Sequence, residues 1–101
     1  MEPSHTVDEI VYFPEPMTWD EFTEDILERY GDEFFEYNGR KLMIQYLPPW
    51  SIVDPTVLEK GTYPVLFSGS DWFREFLEQP MSVLDGLSIH EAYGRIRPFS
   101  N

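Results

Sequence analysis

Residues 18–47 read TWDEFTEDILERYGDEFFEYNGRKLMIQYL, and two punctuation marks inside this stretch set the expected fold. The first is Thr18, placed three residues before Glu21. That is the spacing of a reciprocal capping box, in which the Thr hydroxyl and the Glu carboxylate each accept a hydrogen bond from the other residue's backbone N–H. Met17 and Phe22 occupy the positions of a hydrophobic staple across the same turn, so a helix is expected to begin at Trp19. Gly31 suits the left-handed position that stops a helix. The second mark is Asn38-Gly39, set between the strand-like runs 33–37 and 40–47. Both central residues of a tight hairpin turn need positive φ, which Asn and Gly supply at little cost, so the spacing predicts a β-hairpin.

Along the expected helix, Trp19, Phe22, Ile26, Leu27 and Tyr30 recur at helical spacing on one face. At about 100° per residue, Asp20, Glu21, Glu24, Asp25 and Glu28 fall opposite them. Asp32, Glu33 and Glu36 extend the charge into the hairpin, so residues 20–36 hold eight carboxylates against one base, Arg29. Acids at i and i+4 destabilise a helix by a few tenths of a kcal/mol per pair. Asp20 with Glu24, Glu21 with Asp25, and Glu24 with Glu28 are such pairs. Repulsion left uncompensated on one face points to selection for something other than stability.

Outward from this centre, residues 1–8 are polar and form a flexible arm. Residues 9–13 have strand composition, ended by Pro14 and Pro16. Pro48-Pro49-Trp50 closes the second hairpin strand and opens a connection, and Asp54-Pro55 caps a short helix running to Lys60 with Gly61 as its stop. Residues 62–67 read as an edge strand, and residues 71–78 as a short helix buried through Trp72, Phe73, Phe76 and Leu77. Ser88 and Glu91 repeat the capping-box spacing for a last helix through Ile89, Ala92, Tyr93 and Ile96, ended by Pro98. The expected fold is α+β over a single domain, residues 9–101: a small antiparallel sheet of three to four strands, an N-terminal acidic amphipathic helix and two short C-terminal helices.

Composition bounds the function. The 101 residues carry 19 acids against 7 Lys and Arg, a formal net charge of −12. Twelve acids and three bases fall in residues 1–50, and seven acids and four bases in residues 51–101. The two halves therefore carry −9 and −3. Charge of this size usually accompanies disorder, but 42% hydrophobic and 17% aromatic residues supply the area for a core. Cysteine is absent, which removes disulfides, thiolate metal sites and a thiol nucleophile. With no signal-like N-terminus and no long apolar run, a cytoplasmic protein without membrane contact is expected.

Catalytic constellations are weak. His5 lies in the arm and His90 in the first turn of the last helix, without an evident group to activate. The helix carboxylates sit on a polar face, where they remain solvated and are poorly suited to acid–base work. The spacing around residues 32–39 puts Phe34 where a calcium loop needs its first ligand, and no glycine opens a phosphate loop. No enzyme activity, cofactor, metal or small-molecule substrate is expected. Direct nucleic-acid binding is disfavoured because phosphate contacts need Lys and Arg, and Arg74, Arg95 and Arg97 make only a small basic spot.

A rigid helix with carboxylates at i, i+3, i+4 and i+7 presents regularly spaced negative charge, as a nucleic-acid backbone does. Such a face suits a basic, nucleic-acid-binding protein, with long-range attraction speeding encounter. Tyr37, Tyr46 and Trp50 are candidate aromatic anchors beside Asp20, Glu21, Glu24, Asp25, Glu28, Asp32, Glu33 and Glu36. Salt adaptation would also enrich acids, but would not gather them in one segment. In its acidic stripe and overall composition the chain resembles the small acidic inhibitors of phages and mobile elements, the anti-CRISPR and DNA-mimic anti-restriction proteins. The resemblance is one of type and implies a non-enzymatic inhibitor that blocks DNA recognition by a defence nuclease or CRISPR surveillance complex. An immunity protein or antitoxin neutralising a basic toxin nuclease is the alternative.

Overall fold

The computed structural model describes residues 11–12, 17–29 and 31–100, and within it the Asn38-Gly39 turn joins the two longest strands. These are β2 (Gly31–Tyr37) and β3 (Arg40–Tyr46), and both turn residues have positive φ, 51° and 77°. The preceding helix, α1 (Trp19–Arg29), starts as its capping box requires. Glu21 N–H donates to Thr18 Oγ1 at 3.1 Å, and Thr18 N–H donates to Glu21 Oε1 at 2.8 Å.

The sheet is larger than the sequence suggested. Besides β2 and β3 it holds β1 (Val11–Tyr12), β4 (Trp50–Val53), β5 (Val65–Ser68) and β6 (Ile96–Ser100), in the order β1-β6-β2-β3-β4-β5. All pairings are antiparallel. Five strands have four or more residues, so three to four was an undercount. Two strands account for it. Trp50–Val53 does not open a connection: Leu47 N–H donates to Pro49 O, and the chain doubles back with Trp50 opposite Tyr46. Residues 96–100 do not continue a helix. They form β6 beside β2, with Pro98 opposite Phe35. Among the described residues β1 pairs with β6 at Phe99 and Ser100.

The helical part also differs. The last helix is one bent element: α3 (Ile89–Ala92), capped by the Ser88–Glu91 box, runs into a 3-10 turn (Tyr93–Arg95) and then into β6. The other C-terminal helix, α2, spans only Phe73–Leu77, and Trp72 in front of it is 75% exposed rather than buried. No helix forms over residues 55–60. Asp54 Oδ1 accepts from Thr56 N–H, and Lys60 with Gly61, both at positive φ, turn the chain so that Glu59 bridges Thr62. Phe22, Thr23 and Ile26 form the buried face of α1 while Leu27 is 43% exposed. Tyr30, the arm at residues 1–8 and the rest of the expected 9–13 strand lie outside the described residues.

All helices cover the same face of the sheet. Phe35 and Tyr37 of β2, Leu42 and Ile44 of β3, Trp50 and Ile52 of β4 and Ile96 of β6 join Phe22, Ile26, Phe76, Leu84 and Ile89 in one cluster. The strand period of two puts Phe34, Met43, Val53 and Phe99 on the other face, with the Phe34 and Phe99 rings 5.6 Å apart. Among the described residues no helix is long and apolar enough to cross a membrane.

Candidate functional site

Capping and packing hold α1 as a rigid platform for its carboxylates. Tyr93, from the turn after α3, donates its hydroxyl proton to Met17 O at 2.5 Å, pinning the start of the helix. Its phenol is pushed above the ordinary range, first by burial, then by the negative charge of Glu21 and, once it ionises at alkaline pH, of Glu33. The Trp19 ring stacks on His90 at 4.3 Å and 6° and meets Tyr93 edge-on at 5.2 Å. His90 Nδ1 in turn bonds Glu78 Oε2 at 2.6 Å. His90 therefore ties α3 to α1 and to the end of α2.

On the outer side of this platform Asp20, Glu21, Glu24 and Glu28 are exposed and Asp25 is half-buried. Glu21, Glu24, Asp25 and Glu28 line, together with Met17, a shallow depression of about 310 Å³. The counter-ion supply is thin. Arg29 Nε approaches Asp25 Oδ1 at 3.5 Å, a single long contact one turn away on the same helix. Among the described residues Asp20, Glu24 and Glu28 meet no cationic partner.

The remaining candidates do not continue this surface. Asp32, at φ 57° in a bulge of β2, is exposed and accepts a hydrogen bond from Gln45. Glu36 is half-buried on the sheet face turned away from α1, opposite Lys41 on β3 and Arg97 on β6. Tyr46 is half-buried against the core, its ring 4.9 Å from that of Trp50. Tyr37 and Trp50 are core residues, so neither is an exposed anchor. The Tyr37 hydroxyl instead donates to Asp85 Oδ2 at 3.0 Å. The stripe of residues 20–36 thus reduces to the α1 face, because alternation along β2 sends its side chains to opposite sides of the sheet.

Glu33 is the largest departure from expectation. It is 1% exposed, on the inward face of β2 under α1, where the sequence reading had it on the surface. Its pKa is pushed up to about 9, first by burial and then by the neighbouring Asp25 carboxyl, with Arg29 pulling the other way. Glu33 is therefore neutral at pH 7. Its Oε1 finds no hydrogen-bond partner among the described residues.

Among the described residues no group of three or more His, Cys, Asp or Glu is placed to hold a metal ion. No protein-family model, curated protein or solved structure matches the chain.

Proposed function

We propose that this protein is a non-enzymatic binding protein whose α1 face covers the basic, nucleic-acid-binding surface of a protein partner. The partner class is a defence nuclease or CRISPR surveillance complex, kept from its DNA by occupation of the site. One observation carries the reading. A doubly anchored helix holds four carboxylates around one depression, with, among the described residues, only the long Arg29 contact to offset them. Solvated acidic faces are ordinary, but three like-charged i, i+4 pairs on a helix of eleven residues oppose its stability. A cationic partner would turn that repulsion into binding energy, and the field would speed encounter at low ionic strength.

The test compares two double charge reversals that change net charge equally. Glu24→Lys with Glu28→Lys alters the helix face while sparing the capping carboxylate of Glu21, and Glu59→Lys with Asp71→Lys alters exposed acids elsewhere. In affinity capture from the native host, the wild-type and Glu59/Asp71 proteins are expected to retain the same nucleic-acid-binding protein and to lose it to competing duplex DNA. The Glu24/Glu28 variant should retain none. Equal capture by both variants, or capture indifferent to DNA, would refute the reading.

A further inference from the structure

Asn38-Gly39 at the hairpin tip and Asp85-Gly86 ahead of α3 are both turns whose residues hold positive φ, 51° and 77° in the first, 59° and 87° in the second. The fold sets them against each other. Asn38 Nδ2 donates to Asp85 Oδ2 at 3.2 Å, and the Tyr37 hydroxyl donates to the same oxygen at 3.0 Å. A carboxylate only accepts, so the Asn38 amide faces it nitrogen first. Both pairs are open to one chemistry, closure of a five-membered ring between the glycine nitrogen and the side-chain carbonyl carbon of the residue before it, because glycine has no side chain to obstruct the approach. In the second turn that nitrogen is engaged, Gly86 N–H donating to Met81 O at 2.9 Å. In the first, both residues are exposed, and nothing lies within 4 Å of where a Cβ on Gly39 would stand.

We propose that Asn38 is a site of spontaneous deamidation by water, and that its contact with Asp85 sets how slowly the folded protein undergoes it. The Gly39 nitrogen gives its proton to hydroxide and attacks Asn38 Cγ. The Cγ–Nδ2 bond breaks, and the nitrogen leaves as ammonia after taking a proton from water, which regenerates hydroxide. A second water opens the succinimide at either carbonyl and leaves aspartate or its β-linked isomer; nothing is oxidised or reduced. Ring closure swings the Asn38 side chain onto its own following peptide, so the bond to Asp85 has to break and the tip has to open first. The product cannot restore the restraint. A carboxylate stands where the donor stood, and two like-charged acceptors do not remake the contact. In the β-linked isomer the two-residue turn also carries an extra backbone methylene. Deamidation thus unfastens the hairpin tip from Asp85 irreversibly.

The full-length protein, folded and in parallel unfolded in concentrated urea, is held at pH 8 for several weeks, and conversion of amide to acid is located by peptide mass spectrometry. Folded wild type is expected to convert at Asn38, more slowly than the unfolded chain. Asp85→Gly removes the acceptor and suits the positive φ, and should convert about three- to tenfold faster than folded wild type, the factor one hydrogen bond supports. Asp85→Asn keeps an acceptor oxygen and should stay near the wild-type rate. Urea denaturation shows that each variant is folded. Asn38→Asp supplies the charge of the product without the reaction, and its backbone amides at residues 38–40 should exchange hydrogen faster than those of wild type. An Asn38 that stays intact in folded wild type while the unfolded chain converts would overturn the proposal. Equal rates in wild type and folded Asp85→Gly, or unchanged exchange in Asn38→Asp, would overturn the role of Asp85.

Discussion

Replacing Glu33 by Gln should make the protein more stable at neutral pH and remove most of a pH dependence that wild type displays. The folded carboxyl ionises near pH 9, against an ordinary value of 4.5. Between those values the native state keeps a proton that the unfolded chain releases. The stability contributed by the raised pKa is therefore complete below about pH 4.5 and is lost progressively as pH rises through 9. At 1.36 kcal/mol per pH unit, the loss between pH 4.5 and pH 7 is about 3 kcal/mol. A glutamine cannot ionise, so the variant avoids that loss. Urea denaturation of both proteins at half-unit steps from pH 4.5 to pH 9, followed by tryptophan fluorescence, gives the comparison. The curves should nearly coincide at the acid end and differ by about 3 kcal/mol at pH 7, with Gln above. Taking the difference cancels the other titrating groups. Parallel pH profiles would refute the assignment of a buried proton to Glu33.

Other sites give sharper structural tests. Gly31→Ala should cost about 2–4 kcal/mol in the same denaturation assay, because Gly31 has φ 106° and a Cβ there would lie 2.8 Å from Tyr46 N of the adjacent strand. Tyr93→Phe removes the hydrogen bond to Met17 O and should cost about 1 kcal/mol. Ser88→Ala removes the α3 cap, with a similar loss of about 1 kcal/mol expected. Glu24→Lys with Glu28→Lys should leave stability within about 0.5 kcal/mol of wild type, since the pair of residues 24 and 28 stays like-charged while the pair of residues 20 and 24 becomes mixed. A large loss there would mean that the reversal acts through the fold.

The elements legible in the sequence are those written in local chemistry. The capping residues Thr18 and Ser88 and the Asn38-Gly39 turn act within a few positions of themselves, and each appears where its spacing places it. What escaped depends on partners far along the chain. Trp50–Val53 is buried at all four positions, so it shows no alternation and becomes a strand only because β3 and β5 flank it. Ile89, Ala92, Tyr93 and Ile96 do match helical spacing, yet Pro98 disfavours the helical conformation for Arg97, a signal that the helix had to end earlier. The candidate site was misread in one specific way. Glu33, Phe35 and Tyr37 share a strand face by parity alone, so a surface containing Glu33 and Tyr37 would have had to expose Phe35 as well. Aromatic burial decided the face and carried the carboxylate inward.

That inward carboxylate bears on why the acidity concerns α1 and not the whole molecule. Where the sheet carries a carboxylate on its far face, it also supplies cations, with Glu36 set between Lys41 and Arg97 in the ladder. On α1 the ion pair among the described residues is the single long Arg29–Asp25 contact. Lys41 and Arg97 are separated from the outer face of α1 by the sheet and a helix diameter of about 10 Å. They therefore do little to cancel the field over Glu24 and Glu28. An approaching cationic surface meets balanced charge on one side of the molecule and an unscreened cluster on the other. Its orientation at encounter is thus set by this placement of charges.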